Sequence, residues 1–391
     1  MSDRRHFLKQ LAFFGAMATT PVTFALGQTE PQVQPPIEPT DGSFVVSCSQ
    51  NLHKKAPSRI ITIPDAGEYK VLKGDFHMHT LFSDGSVMPK DRVAEAVDNG
   101  LDVISITDHI EYRPTFGGSI KLLDRNDDFN IAYDLAKPEA DKQNLILVRG
   151  TEVTKSEWHF NALFLQDVNP LAAVVDNWQQ MLAVSAEQGG FNHWNHPNWV
   201  DGTPDTPPFG LKRGEPMRFF DEIEEVRRKG HLHGIEVFNG STYYPIASDW
   251  CNERNLVPVA NTDIHGSDWN VYGHQNPLRP MTLILAKERT YDSIREAFFA
   301  GRLIGFAAGM VLGRREWLEK LFTVCVTVDT KPGALELTNK SDIPCIVQAG
   351  GAARELPPQG RFNLYRSNSV KKLTVCNWMA GTNQPLEIEL G

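Results

Sequence analysis

The chain has 391 residues, 41% of them hydrophobic and 22% charged, and a formal net charge of −9. That length admits one large domain and a small one, and the negative balance argues against binding nucleic acid through its phosphates. No apolar run in the body of the chain reaches the roughly 20 residues that span a bilayer, and five cysteines without a CxxC pair argue against a zinc ribbon.

The first residues stand apart. Arg4-Arg5-His6-Phe7-Leu8-Lys9 precedes the uncharged apolar run Leu11–Ala18, and Ala25-Leu26-Gly27 follows. This is the order of a charged region, a short hydrophobic region and a small-residue cleavage site. The twin arginine with Phe-Leu-Lys resembles the bacterial Tat signal, a receptor-read address and not an anchor. The resemblance implies a signal peptide over 1–27 and export of a folded protein to the periplasm. Cleavage would remove Arg4, Arg5 and Lys9 along with Asp3, leaving a net charge of −11. An oxidising destination permits disulfides. Cys325, Cys345 and Cys376 cluster near the end, where one pair is open to bridging; with Cys48 and Cys251 the count is odd, so at least one thiol stays free.

Residues 28–57 read as linker and lead-in, with Pro31, Pro35, Pro36 and Pro39 marking a flexible tether over Gln28–Asp41. A strand is expected around Ser58–Ile63. From there apolar β-branched runs alternate with helix-like stretches. Strands are expected at Val71–His79, Leu101–Asp108, Leu145–Val153, His159–Leu165, Gly190–His196, Gly234–Phe238, Val257–Ala260 and Met281–Leu285. Helices are expected at Pro89–Asn99, Asp124–Lys142, Asp176–Gln188, Phe219–Lys229, near Ala247–Arg254 and at Tyr291–Ala300, several closed by glycine. Repeated β–α units with apolar strands predict a parallel sheet covered by helices, closed or nearly closed, over residues 58–316. After Trp317 short alternating runs separated by Pro, Gly and Asn predict a small all-β sandwich over 317–391: Phe322–Val328, Ala334–Leu337, Ile343–Gln348, Arg361–Leu364, Val370–Cys376 and Leu386–Leu390.

In a parallel α/β barrel the active site lies at the C-terminal ends of the strands. Those ends carry His77 and His79 with Asp84 in the next loop, then Thr107-Asp108-His109, then Gly150-Thr151-Glu152. Further on come His159, the run Asn192-His193-Trp194-Asn195-His196-Pro197, and Asn261-Thr262-Asp263-Ile264-His265. Alternate strand residues share a face, so His77 and His79 point together. So many imidazoles and carboxylates at successive ends are expensive to bury unless cations join them. Imidazole suits zinc, iron and manganese, and bridging carboxylates suit multinuclear sites.

With these residues in view the chain resembles the PHP (polymerase and histidinol phosphatase) family of metallohydrolases over roughly Lys73–Gly309. The pieces stand in family order: HxH with an acid shortly after, TDH, GxE, a histidine on the next strand, HP, and a late DxH. The resemblance implies a distorted (β/α)7 TIM-like barrel and two or three divalent ions (Zn, Mn or Fe). By resemblance His77, His79, Glu152 and Asp263 hold the first ion. Glu152 bridges to a second held by His159 and His196, and Asp84, His109 and His265 hold the third. His193 competes with His196 for the second ion, and is otherwise a residue that touches substrate. Asp108 is expected to orient a ligand; Glu236 and Asn239 either do the same or are plain strand-end polar groups.

The implied activity is that of a phosphoesterase, a phosphatase or phosphodiesterase acting on a small phosphorylated ester through a metal-bridging hydroxide. Glu152 and Asp263 are then central to catalysis, with His265 or His193 protonating the leaving group. No G-x-S-x-G or Cys–His pairing offers a protein nucleophile. Arg113, Trp194, Trp199 and His274 sit in or beside loops expected on the same face, where they would position substrate. A second reading keeps the ions and changes the bond to a carboxyl or carbamate ester. A third is a non-catalytic exported metal- or glycan-binding protein.

Overall fold

Short runs of buried apolar residues build a mixed sheet that curls around a common interior. The computed structural model describes residues 46–47, 60–113, 128–154, 158–198, 217–273, 279–365 and 369–390. The expected signal peptide and tether, together with Cys48, Trp199 and His274, lie outside the described residues.

The first elements are β1 (Val46–Ser47), β2 (Lys70–Asp75), α1 (Pro89–Asp98), β3 (Val103–Ile106), α2 (Ile131–Lys142), β4 (Ile146–Val153) and β5 (Phe160–Leu163). The short helix α3 (Asn169–Ala172), then α4 (Trp178–Glu187), β6 (Phe191–Trp194), α5 (Asp221–Arg228), β7 (Gly234–Asn239), β8 (Thr242–Tyr243), α6 (Pro245–Arg254) and β9 (Val257–Asn261) complete the ring. Helix starts follow local chemistry. Pro occupies the first turn of α1 and α6, and the Asn177 side chain accepts from the Gln180 backbone N–H at the start of α4.

The ring is not the all-parallel sheet that the βα alternation predicts. β2–β3–β4 and β6–β7–β9 pair parallel, but β5 runs antiparallel to both β4 and β6. The connection from β4 to β5 is too short for the crossover that a parallel pair needs. The ring closes between β9 and β2 without a continuous ladder, through the isolated bridge Met78–Ile264 and the backbone bonds Asp263 N to His77 O (2.9 Å) and His79 N to Ile264 O (3.0 Å).

Beyond the ring come β10 (Met281–Ala286), α7 (Tyr291–Phe299), β11 (Leu303–Ala307) and β12 (Met310–Gly313), with β10 antiparallel to β2. Phe298 of α7 meets the rings of Phe76, Phe164 and Phe191 at 4.7, 5.0 and 5.1 Å. With Leu72, Val103, Val148, Leu163, Val257 and Val259 it forms an apolar plug, so the polar half of the interior lies toward the other end of these strands.

The C-terminal strands join the same sheet, because β18 (Lys372–Gly381) pairs parallel with β12 and antiparallel with β15 (Cys345–Gln348) and β19 (Gln384–Glu389), and β16 (Arg354–Leu356) pairs antiparallel with β15. A second sheet is formed by β13 (Val326–Lys331), β14 (Ala334–Asn339) and β17 (Arg361–Tyr365). Leu335, Leu337 and Leu364 share one core with Val347, Val375 and Leu386, a sandwich-like arrangement continuous with Ile104 and Leu283 of the ring.

Several local expectations change. Residues 60–63 carry no strand, and 58–59 lie outside the described residues. Phe322–Cys325 is helical, the end of α8 (Arg315–Cys325), because Leu318, Leu321, Phe322 and Cys325 repeat with a helical period and are all buried. The helix expected at Asp124–Lys142 begins at Ile131, with 124–127 outside the described residues. Among the described residues no disulfide forms: Cys251, Cys325, Cys345 and Cys376 are free thiols, the first three buried.

Candidate metal centre

The ladder of β2 ends at Asp75, short of the two histidines. Up to that point even-numbered residues face the interior plug, as Leu72 and Phe76 do, while Val71 faces the outer core. The alternation then switches: Met78 is in the outer core and His77 and His79 turn inward. A regular strand as far as His79 would have aimed both imidazoles at the helices instead. Past them, the loop returns tightly. Gly85 N donates to the Thr80 carbonyl at 2.9 Å, and a Cβ on Gly85 would lie 2.6 Å from the His79 carbonyl oxygen. Glycine is what this turn admits, and the turn brings Asp84 back beside His79, 3.6 Å from its Nδ1.

The nine residues expected as ligands come together around Glu152, which is 1% exposed. Glu152 Oε2 lies 3.3 Å from His77 Nε2, 3.2 Å from His79 Nε2 and 3.1 Å from His109 Nδ1. Its other oxygen, Oε1, lies 3.2 Å from His159 Nδ1 and 3.5 Å from His196 Nε2. Asp263 does the same on the opposite wall, with Oδ1 at 3.1 Å from both His77 Nε2 and His79 Nε2 and Oδ2 at 3.9 Å from His196 Nε2. Asp84 spans His265 Nε2 (3.2 Å) and His109 Nε2 (3.5 Å). Asp263 and His196 hold φ of 53° and 26°, left-handed values that tend to cluster at functional sites.

The donor sets that could hold an ion are therefore His77–His79–Glu152, His77–His196–Asp263, Glu152–His159–His196 and His79–Asp84–His109–His265. Two features differ from the expected grouping. Asp263 also reaches the His196 side, and His79 also belongs with Asp84 and His265, stacking on His265 at 4.2 Å.

Among the described residues, His77 Nε2, His79 Nε2, His109 Nδ1 and Asp263 Oδ1 are buried and make no hydrogen bond of acceptable geometry. Buried polar atoms are normally satisfied. Here each lies within 3.3 Å of a carboxylate oxygen or an imidazole nitrogen without hydrogen-bond geometry, an arrangement that a shared cation would satisfy. The titrations carry the same strain. Burial pushes His79 down, but Asp263 and Glu152 beside it carry it up to about 10. Burial likewise opposes a charge on His77, and Asp263, Glu236 and Glu152 overcome it. Burial also disfavours the charged forms of Glu152 and Asp263, and the surrounding imidazoles hold both well below the ordinary carboxylate range.

The surrounding groups orient these side chains. Glu236 accepts from His77 Nδ1 (2.8 Å), from Asn261 Nδ2 (2.9 Å), from Asn239 Nδ2 (2.8 Å) and from the His196 backbone N–H (2.8 Å). Asp108 accepts from Thr80 N (2.7 Å), Thr80 Oγ1 (2.6 Å) and Ser83 Oγ (2.6 Å). Ser83 Oγ in turn accepts from His79 Nδ1 at 3.2 Å, so Asp108 acts on His79 through Ser83. Asn195 Nδ2 donates to Glu152 Oε1 and to Asn161 Oδ1, each at 2.9 Å. The sequence reading passed over Ser83, Asn161, Asn195 and Asn261. The signal open to it was parity, since Asn195 sits two residues from His193 in the same strand run.

Three other expected residues have these partners. His193 is fully buried, with Nε2 3.4 Å from Asn261 Nδ2, which donates to it, and 3.9 Å from Glu236 Oε1. It sits behind Glu236, and burial holds it down at about 4; it joins none of the donor sets. Trp194 points the other way from β6, stacking on Trp250 at 5.8 Å in the outer core, because successive strand residues face opposite sides. Arg113 donates to the Phe82 carbonyl at 3.0 Å and lies over the Phe129 ring at 4.6 Å.

Residues 75–199 match the family model described as the PHP domain. A crystal structure from Bacteroides vulgatus, of a two-domain protein containing a predicted PHP-like metal-dependent phosphoesterase, is 31% identical. The match covers 86% of this chain and 99% of that one, with a TM-score of 0.75. A candidate metal-dependent phosphoesterase from Bifidobacterium adolescentis is 16% identical over 50% of this chain and 88% of its own, with a TM-score of 0.36. No match was found among the curated proteins.

Proposed function

The chain belongs to the PHP family of metal-dependent phosphoesterase-like proteins, and from that premise we propose that it hydrolyses a small phosphorylated ester with the help of two or three divalent ions. The observation that carries the reading is the two-sided environment of Glu152, with three imidazole nitrogens facing one oxygen and two facing the other. A carboxylate so placed would serve two ions at once.

In this reading His77, His79, Glu152 and Asp263 hold one ion. Glu152, His159 and His196 hold a second, with Asp263 in reach. Asp84, His109 and His265, beside His79, hold a third. When bound, such ions make a nucleophile from water near neutral pH and polarise the scissile bond. The chain's own part is to point lone pairs inward. Glu236 keeps the His77 proton on Nδ1, Ser83 does so for His79, and the Asp263 carbonyl accepts from His265 Nδ1 at 2.8 Å. With that nitrogen committed and Nε2 facing Asp84, His265 serves as a ligand rather than as the acid for a leaving group. His193, sealed behind Glu236, is likewise no candidate for that acid. The carboxylates Asp84, Glu152, Glu236 and Asp263 would repel a phosphate in the absence of ions, since like charges at such distances interact strongly in a low-dielectric interior. Phosphate recognition thus rests on the ions, as phosphoryl chemistry generally does.

The test is Glu152→Gln assayed on a chromogenic phosphoester, with metal content measured on the same sample. Unchanged turnover and unchanged metal content would defeat the proposal. A panel of phosphate, carboxyl and carbamate esters decides the bond. We also propose export to the periplasm, supported by Arg4-Arg5 and the apolar run that follows. Replacing both arginines by lysine should retain the protein in the cytoplasm, and periplasmic recovery of that variant would remove the idea.

A further inference from the structure

The ring of strands is weakest where the histidine pair meets the segment Asp263–His265. Among the described residues the ladder is missing there, and one isolated bridge with three backbone bonds, Asp263 N to His77 O, His79 N to Ile264 O and Ser86 N to His265 O, spans the gap. Helix α1 inserts Arg92 into this seam. On an amphipathic helix the buried face is normally apolar, yet Arg92 is 1% exposed and lies on the same face as Pro89, Val93 and Ala96. Its Nε donates to the His79 carbonyl at 2.9 Å and its Nη2 to the Ile264 carbonyl at 3.0 Å. Nη1 pairs with Glu95 Oε2 at 2.7 Å.

The far side is anchored as well. Glu95 Oε1 accepts from the Asp268 backbone N–H at 2.8 Å, and the Asp268 carboxylate accepts from Asn99 Nδ2 and from Arg279 Nη1, each at 3.2 Å. Arg279, also buried, pairs with Asp75, whose Oδ1 accepts from the His77 and Thr262 backbone N–H groups at 3.3 and 3.2 Å. A guanidinium is a rigid fork of five donors. At this seam it ties two main-chain carbonyls and a carboxylate at once, and burying it is worthwhile only with all of them satisfied.

We propose that Arg92 is a positioning residue for the cluster. By clasping the His79 and Ile264 carbonyls it fixes the separation between His79 and the Asp263–His265 segment, and so governs the donor set His79–Asp84–His109–His265. It touches neither ion nor substrate. The donor set Glu152–His159–His196 touches the clasped segments through Glu152 Oε2, 3.2 Å from His79 Nε2, and through Asp263, 3.9 Å from His196 Nε2, but shares no residue with them and serves as an internal control. This inference rests on the cation reading above.

The experiment titrates metal-free protein with Co²⁺ alone, followed by visible absorption and equilibrium dialysis. His265→Ala and His159→Ala identify which binding step belongs to which set. Arg92→Met is expected to weaken the His265-dependent step about ten- to a hundred-fold, as loss of outer hydrogen-bonding partners does, and to leave the His159-dependent step within about two-fold. Arg92→Lys should fall between, because one ammonium cannot span both carbonyls. Equal weakening of both steps, or curves that superimpose on the wild type, would overturn the proposal. Should Arg92→Met not fold, the ratio of the two steps in Arg92→Lys decides by the same criterion. If neither His265→Ala nor His159→Ala alters Co²⁺ uptake, the cation reading itself falls, and the clasp with it.

Discussion

Glu236 Oε1 accepts a hydrogen bond from His77 Nδ1 at 2.8 Å with both side chains fully buried, across 159 residues of sequence. The contact assigns the proton to Nδ1 and leaves the Nε2 lone pair facing Glu152 and Asp263. Three further donors crowd Glu236: Asn239 Nδ2, Asn261 Nδ2 and the His196 backbone N–H. Glu236→Gln keeps the shape but sets an amide donor among donors. We expect a loss of roughly 1–3 kcal/mol in metal-free stability by urea denaturation, and about 10–100-fold weaker binding of Co²⁺. Unaltered values for both would show that the orientation of His77 is set elsewhere.

Ser83→Ala removes the hydroxyl that connects Asp108 to His79. The His79 proton then loses its partner, and the ring is freer to turn. About ten-fold weaker Co²⁺ affinity is expected with little change in melting temperature. Equal affinity in the two proteins would mean that packing alone holds His79.

Metal uptake should release protons. His79 without an ion is carried up to about 10 and His77 is raised as well, whereas a ligand must be neutral. At neutral pH binding therefore displaces protons, and affinity should climb with pH toward the His79 value. Titration with Co²⁺ in unbuffered solution with an indicator dye measures the release. Affinity independent of pH between 6 and 8, a range chosen well under the about 10 of His79, would contradict the assignment.

Two other histidines are shifted the opposite way. His193 and His233 are buried and held down at about 4 against an ordinary 6.5; burial is the main cause in both. His233 Nδ1 accepts from the Asn192 backbone N–H at 3.0 Å, so it is needed neutral. Below pH 6.5 the unfolded chain binds protons that the folded chain refuses until about 4, so these groups reduce stability as pH falls through that window and contribute nothing above it. In chelator, His233→Gln should show a shallower fall in melting temperature over that range than the wild type. Parallel curves would assign the acid sensitivity to other groups.

Trp194 belongs to the scaffold. Stacked on Trp250 and edge-on to Phe219 at 5.8 Å in each case, it should cost about 3–5 kcal/mol when replaced by alanine. Co²⁺ affinity of the folded fraction should stay as in the wild type. A large affinity change with little loss of stability would return Trp194 to the site.

The candidate donor set was legible because it uses residue types that are rare at buried strand ends. His77, Glu152 and Asp263 announce themselves by type and place. Glu236, Asn195 and Arg92 do not, since each gains its role from a partner far along the chain. The apolar run of β5 reads the same whether it pairs parallel or antiparallel, and the alternation of β6 shows that His193 and Trp194 diverge without showing which one faces inward.

By itself the order of residues determined that imidazoles and carboxylates recur at strand ends, that alternating β and α units precede a strand-rich tail, and which family the chain resembles. Those properties are local, written in residue type and short spacing. Only the tertiary structure decided that the parity of β2 switches before His77, that Glu152 faces imidazoles on both of its oxygens, and that His193 lies behind Glu236. Each of these depends on the direction of a side chain relative to a distant segment, and that direction exists only once the ring of strands has closed.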